Sequence, residues 1–431
     1  MSRFSAQGQT AIEFEDEGTV HDSSSTFIEN LNLPLHRWYR FSAGFSALWV
    51  RRTIQNERVN GKTSVLDPFA GSGTVPLEAE MCGIQGIGVE AHPFVARVAQ
   101  AKTYWRQDVV AFRRFGLSVL DEAKTIEGVG ESYPPLIKKC FYPETLRDLD
   151  ALRGALGHAR MPLPFAELTW LALTSILRDC SFVGTAQWQY VLPNKRKAKT
   201  VDPFEAFAGR IELFCRDMRL WQHRAMGPHA SVVTEDARQC SSVPDEWADI
   251  IITSPPYANN YDYADATRLE MSFFGDVQAW SDLQSAVRCH LIRSCTQHVA
   301  AETNGTGFRD DPELEAVLPE FKRTYEALAE EREAHRGRKP YHQMVAAYFT
   351  DMAQVWRTLR RVARKGASVY FVVGDSAPYG VHVPVEEWLG RLAVAAGFKS
   401  YAFRKIRDRN VKWKNRKHRV PLQEGVLHVE G

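Results

Sequence analysis

Two stretches of this chain, far apart in sequence, carry residue types that could do chemistry. The first is Asp67-Pro68-Phe69-Ala70-Gly71-Ser72-Gly73-Thr74. Gly71 and Gly73 permit tight turning and close approach of backbone to a ligand. The loop follows a short apolar run, Ser64–Asp67, and precedes a helix signature with Pro76 in its first turn and Gly83 as its stop. A strand's carboxyl end meeting a helix N-terminus is where open α/β sheets bind ligands. The octapeptide is neither a nucleotide P-loop nor a full Gly-x-Gly-x-x-Gly. Asp67 would repel a pyrophosphate but suits a positively charged amino group. Glu90 stands 23 residues further on, at the end of the apolar run Gly86–Glu90, where an acid can accept hydrogen bonds from both hydroxyls of a ribose.

The second stretch is Thr253-Ser254-Pro255-Pro256-Tyr257, which ends the apolar run Ala248–Ile252. Two successive prolines stiffen the backbone and remove two amide donors, leaving carbonyls free to project. Ser254 adds a hydroxyl acceptor and Tyr257 a flat ring. The exocyclic amine of a nucleobase is a poor nucleophile because its lone pair is delocalised into the ring. Acceptors on both amine hydrogens, for which the Ser254 side chain and the Pro255 carbonyl are candidates, would localise that lone pair toward an electrophilic carbon. Such an amine is out of reach inside a duplex unless the base is flipped, and Tyr257 could stack on a flipped base. Each feature also has a plain structural reading: a strand–turn–helix with an incidental acid, and a Pro-Pro turn capping a buried strand. Their occurrence in this order in one chain favours the chemical reading.

Together these residues resemble the S-adenosylmethionine-dependent amino-methyltransferases of DNA. Asp67–Thr74 is similar to that family's cofactor motif, Thr234-Glu235-Asp236-Ala237 to the motif whose acid holds the adenine amine, and Ser254–Tyr257 to its catalytic motif. His36–Ser46 resembles, more loosely, the N-terminal motif that closes over the methionine end. The resemblance implies S-adenosyl-L-methionine as cofactor, bound by Asp67, Pro68, Phe69, Ala70, Gly71, Gly73, Thr74, Glu90, Asp236 and Thr253, with Phe69 and Gly71 lining the pocket. It implies Ser254, Pro255, Pro256 and Tyr257 as the catalytic set. Serine at the first catalytic position is more typical of N4-cytosine enzymes, aspartate of N6-adenine enzymes and asparagine of enzymes that methylate protein glutamine. The favoured activity is therefore site-specific N4-cytosine methylation of DNA. N6-adenine methylation, RNA base methylation and a non-catalytic DNA-binding scaffold are the competing readings. Cytosine C5 methylation needs a thiolate in a Pro-Cys pair, and the chain has no such dipeptide.

The elements that must position these residues follow from periodicity. The resemblance implies an α/β, Rossmann-like methyltransferase fold with a mostly parallel sheet, an antiparallel last strand and helical insertions. The pattern divides the chain into a flexible polar tail (1–26), a cofactor-binding half (27–105), a helical insertion (106–230), the catalytic-motif segment (231–262), a second insertion that could recognise the target (263–342), and a C-terminal part with a basic hairpin (343–431). The insertion contains a basic loop, Asn194–Lys199. Only 17 residues separate Asp236 from Ser254, too few for a recognition domain.

Composition is that of an ordinary globular protein, 44% hydrophobic and 25% charged, with a net charge of +2 that is uninformative by itself. The distribution of charge says more. Arg404–Arg419 holds nine Lys/Arg against the single acid Asp408. Lys195, Arg196, Lys197, Arg409, Lys412, Lys414, Arg416 and Lys417 are the candidate phosphate contacts. Double-stranded DNA is the implied partner, and a companion restriction endonuclease is left open, as is the oligomeric state. Seven scattered cysteines without Cys-x-x-Cys spacing predict neither a metal site nor disulfides. The absence of any apolar run of about 18–20 residues, and of a secretory signature at Met1–Val20, predicts a cytoplasmic protein associated with the nucleoid.

Overall fold

The computed structural model describes residues 29–126, 128, 133–159, 162–186, 190–225, 227–259, 261–299, 312–334, 336–337, 339–409 and 421–431. The tail 1–26 and four expected DNA contacts, Lys412, Lys414, Arg416 and Lys417, lie outside the described residues.

The short apolar runs become strands because each is sandwiched between helices and so needs apolar side chains on both faces. In β1 (Ser64–Asp67) Val65 enters one core cluster, with Ile250 and Ile252. Leu66 enters another, on the opposite face, with Ile251. Strands β2 (Gln85–Glu90), β5 (Ser231–Thr234), β6 (Ala248–Thr253), β7 (Ala363–Gly374), β8 (Ser400–Arg409) and β9 (Leu422–Glu430) complete a seven-stranded sheet in the order β5-β2-β1-β6-β7-β9-β8. The first five in that order are parallel, and β9 runs antiparallel to both β7 and β8. This is the Rossmann-like methyltransferase sheet, with its last strand reversed. The three C-terminal strands extend further than the sequence pattern suggests. β9 pairs with Ser368–Gly374 on one side and Ser400–Arg409 on the other, and two-sided pairing carries polar residues into the ladder.

The chain leaves β1 toward β2 and β5 on one side and returns through β6 to β7 on the other. The topological switch point therefore falls between β1 and β6, and all five parallel strands end on one edge of the sheet there. Helices Ala47–Val59 and Thr74–Cys82 pack on one face, and Tyr341–Val362 and Val385–Ala395 on the other. Among the described residues no helix is long and apolar enough to cross a membrane.

The first insertion is helical as its periodicity implies, with Val109–Ala123, Pro143–His158, Leu163–Cys180 and Pro203–Gln222 around one apolar core. One expectation fails. The run Asn194–Lys199 is not simply a loop, because its first half belongs to β4 (Val191–Arg196), which forms an antiparallel hairpin with β3 (Val183–Thr185). Pairing of Thr185 with Val191 and of Gly184 with Leu192 sets that register, and cross-strand bonding overrides the loop-like composition.

The N-terminal aromatic segment is locked to this insertion by one buried acid. Asp217, fully buried on the helix Pro203–Gln222, accepts hydrogen bonds from Arg37 Nε (3.0 Å) and Nη2 (2.5 Å), Trp38 Nε1 (2.9 Å) and the Leu35 backbone (3.3 Å). The Trp38 ring stacks on Phe214 one turn away, centroids 4.0 Å apart. On the other side His36 and Arg51 share the buried Glu78 at 2.7 and 2.6 Å. Removing Asp217 would strand several donors at once, and an unsatisfied buried group costs about 1–3 kcal/mol. Asp217→Ala is expected to lower stability by about 3 kcal/mol, read as a lower urea midpoint at unchanged slope. A midpoint within error of wild type would refute the anchoring role.

Candidate functional site

The site begins where β1 and β6 end side by side. Asp67 and Thr253, both fully buried, are joined by a 2.6 Å hydrogen bond from Thr253 Oγ1 to Asp67 Oδ1, which also accepts from Phe69 N at 3.0 Å. The other carboxylate oxygen, Oδ2, is buried without a partner. Burial pushes the Asp67 carboxyl up to about 7.

Past these ends the backbone turns sharply. Gly71 (φ 51°) and Gly73 (φ 86°) adopt the left-handed conformation that glycine allows cheaply. A Cβ on Gly71 would stand 2.8 Å from the Phe41 ring, so the N-terminal segment lies directly on the loop. Glu90, at the end of β2, accepts from Gly71 N and His92 N, both at 2.8 Å. Burial pushes its carboxyl up to about 7 as well.

The loop and the Ser-Pro-Pro-Tyr turn face one cavity of about 850 Å³ of empty space, open mouth included. Phe41, Ala43–Phe45, Phe69–Ser72, Thr74, Glu90–His92 and Asp236 line it together with Ser254, Pro256, Tyr261, Tyr263 and His290–Ile292. Six of the ten expected cofactor residues therefore line the cavity: Phe69, Ala70, Gly71, Thr74, Glu90 and Asp236. Asp67, Pro68, Gly73 and Thr253 are buried behind them and shape the wall.

Two expected roles look different in three dimensions. Both oxygens of Asp236 are held by Arg238, with contacts of 2.6–3.0 Å from the guanidinium and 2.8 Å from its backbone N–H. Arg238 also reaches the buried Asp351 (3.1 Å), so Asp236 is one end of a charge chain rather than an isolated acceptor. Within the turn Ser254 and Pro256 line the cavity, Pro255 is buried, and Tyr257 stands outside the lining with the Arg409 guanidinium 5.1 Å from its ring centre. Ser254 Oγ donates to Val372 O at 3.2 Å, which leaves lone pairs of that oxygen as acceptors.

Sequence reasoning missed the remaining walls. Tyr261 packs edge-on against Tyr263 (4.5 Å) and tilted against Tyr190 of the first insertion (5.5 Å). The Tyr190 hydroxyl accepts from Asp262 N at 2.8 Å. His290–Ile292 come from the second insertion, which was expected to serve target recognition. The next residue, Arg293, bonds Asp351 through its backbone (2.9 Å) and guanidinium (2.7 Å). The tyrosine spacing after Pro-Pro was a local signal that could have been read, but the Arg293–Asp351 pair had none.

The basic candidates divide. Lys195 and Arg196 are exposed on the hairpin. Lys197, expected to contact phosphate, is turned inward and donates to the Arg178 carbonyl. Arg409 also has protein partners, because its Nη1 donates to the Asp375 carbonyl at 2.7 Å. Among the described residues no group of three or more His, Cys, Asp or Glu could hold a metal ion.

No family model matches the chain. It is 25% identical over 444 residues to the Type II methyltransferase M.BsoBI of Geobacillus stearothermophilus, covering 92% of this chain and 84% of that protein. It is 25% identical over 428 residues to the Type II methyltransferase M.AvaI of Nostoc sp. and of Anabaena variabilis, covering 89% of this chain and 84% of theirs. These relatives agree with the resemblance carried by the loop at 67–74 and the turn at 254–257.

The buried carboxyl of Asp67 makes stability depend on pH. Its folded value of about 7 lies above the ordinary value of about 3.9 in an unfolded chain. Between the two the folded state holds a proton that the unfolded state has lost, so stability falls as pH rises to about 7 and is level above it. Asp67→Asn keeps the acceptor for Thr253 and Phe69 but cannot ionise. Urea unfolding at pH 5 and pH 8 should show a smaller loss for Asp67→Asn than for wild type. Equal losses would mean that Asp67 ionises in the fold at little cost.

Proposed function

We propose that this chain, similar over about nine tenths of its length to Type II methyltransferases, is a site-specific DNA methyltransferase. It would be the modification half of a restriction–modification system, acting on the exocyclic N4 amine of cytosine. The observation that carries the proposal is the shared cavity, where a glycine loop and a Ser-Pro-Pro-Tyr turn 180 residues apart in sequence face the same space.

The residues present fit S-adenosyl-L-methionine. The cavity joins an apolar wall to a few convergent polar groups, Glu90, Asp236 and Ser254, the character expected of a small-molecule site. The Phe41 ring packs directly on Gly71, so the N-terminal segment closes on the loop that would hold the cofactor. Glu90, its two oxygens oriented by backbone amides, suits ribose hydroxyls. Asp67 Oδ2, buried and unpartnered, is a ready acceptor for an ammonium group. When bound, the cofactor supplies an electrophilic methyl group on a sulfonium.

The chain's own residues do the rest by alignment and electrostatics. Ser254, with its proton directed at Val372 O, offers lone pairs to one amine hydrogen, and the Pro255 carbonyl serves the other. Both acceptors draw the amine lone pair out of the base ring and toward the methyl. The stiffness of the two prolines keeps those acceptors from following the substrate, so they favour the geometry of transfer over that of binding. Tyr257, with the Arg409 guanidinium over its ring, would offer its other face to a base flipped from the duplex, and Tyr261 would offer a second ring. Serine at 254 favours cytosine over adenine, the alternative target.

Nucleoside mass spectrometry of DNA treated with protein and S-adenosylmethionine should detect N4-methylcytosine. Methyladenine alone would move the assignment to adenine, and no methylated base would remove it. Ser254→Ala should lower turnover by about 100-fold, the loss typical of one misplaced catalytic hydrogen bond, and leave cofactor affinity unchanged by calorimetry. Wild-type turnover in that variant would take Ser254 out of the mechanism.

A further inference from the structure

Arg409 belongs by sequence to a basic run, yet its surroundings separate it from a phosphate ligand. It is the last residue of β8, and its side chain is only 15% exposed. Nη1 donates to the Asp375 carbonyl at 2.7 Å, Nε lies 3.7 Å from Glu424 Oε2 on β9, and the guanidinium sits over the Tyr257 ring. Glu424 is itself buried and also accepts from Arg407 Nη2 at 2.7 Å.

The place where Arg409 lies was cleared for it. A Cβ on Gly374, the last residue of β7, would come 2.7 Å from Arg409 Nη1 and 3.0 Å from its Cδ. Gly374 is not in the left-handed region, so glycine there provides space rather than conformation. Two residues earlier in the same strand is Val372, whose carbonyl holds Ser254. Tyr257 follows Ser254 by three residues in the same proline-stiffened turn. Arg409, Gly374, Tyr257 and Ser254 thus form one packed unit at the carboxyl edge of β6 and β7.

We infer that Arg409 is a positioning residue for the catalytic turn. It fixes the Tyr257 ring by covering one face and so leaves the other to receive the base. The inference rests on reading Ser254–Tyr257 as the catalytic turn. A cation within about 6 Å of a ring centre is attracted to its face. A guanidinium, with several donors on one planar group, can pack against Gly374, donate to the Asp375 carbonyl and cover the ring at once, whereas a lysine ammonium is a single compact charge.

The experiment compares wild type with Arg409→Gln, Arg409→Lys and Gly374→Ala in the full chain, using plasmid DNA that the wild type methylates. Each variant is first checked for a wild-type circular-dichroism melt and S-adenosylmethionine affinity. A positioning role predicts that kcat at saturating DNA falls about 10- to 100-fold in Arg409→Gln, with partial recovery in Arg409→Lys. The slope of log DNA affinity against log salt should stay unchanged. Gly374→Ala, which keeps the arginine but takes its place, should reproduce the kcat loss. A phosphate ligand would behave oppositely, with a slope shallower by about 0.9 and kcat preserved at saturating DNA. That result, or wild-type kcat in Gly374→Ala, would overturn the inference alone. No methylation by the wild type would overturn the catalytic reading of the turn, and the inference with it.

Discussion

The hydrogen bond from Thr253 to Asp67 closes the one joint on which the site depends. β1 and β6 are neighbours at the point where the sheet reverses its direction of growth, and their last residues meet in a fully buried pair. A slip of one residue between these strands would exchange their two faces and send Asp67 away from Thr253. The loop at 67–74 and the turn at 254–257 would then no longer open on the same space. The bond sits where desolvation opposes ionisation of Asp67, so the joint retains a carboxyl that a purely structural strand end would replace with an apolar side chain. That unrelieved cost, and the partnerless Oδ2, are what the proposed contact with an ammonium group would relieve.

Around this joint the insertions complete the cavity instead of merely decorating the sheet. Tyr190 of the first insertion supports the segment that carries Tyr261. From the second, Arg293 meets Arg238 of the loop after β5 at one buried acid, Asp351, and so binds His290–Ile292 to that loop. Buried charges of this kind contribute little net stability, but removing one partner leaves another stranded. Their value lies in geometry. Three segments from different parts of the chain are tied together because Asp351 accepts from both Arg238 and Arg293, while Arg238 also holds Asp236.

Much of this was legible in the sequence for local reasons. Central parallel strands are buried on both faces and so read as short apolar runs, and glycine and proline act through their own backbone. Asp67–Thr74 and Ser254–Tyr257 were accordingly recognisable without tertiary information. The walls made by Tyr261, Tyr263 and His290–Ile292 were harder. The two tyrosines follow the turn closely and could have been read from their spacing, but His290–Ile292 are of ordinary type and reach the cavity only through contacts across long sequence separations. Lys197 and Arg409 show the complementary limit. The sequence marks a cation, but whether it faces solvent or a carbonyl depends on strand pairing in the β3–β4 hairpin and on the space left by Gly374.

That limit bears on how the protein would hold DNA. The chain has 54 Lys and Arg, against 52 Asp and Glu. Many of the arginines are consumed internally: Arg178 by Glu270, Arg288 by Asp262, Arg51 by Glu78, and Arg238 and Arg293 by Asp351. Each of those cations brings its own counter-charge, so the pair presents almost no field to a phosphate. Counterion release scales with the cations that meet phosphates and not with the number encoded. Of the described basic residues at 195–199, Lys195 and Arg196 are exposed on the hairpin and Lys199 is exposed just beyond it. Its β4 strand begins next to Tyr190, which holds the cavity wall. Exposed cations and the tyrosine that braces the cavity wall are thus carried on one element, so a duplex engaging the hairpin would be held at a set distance from that wall.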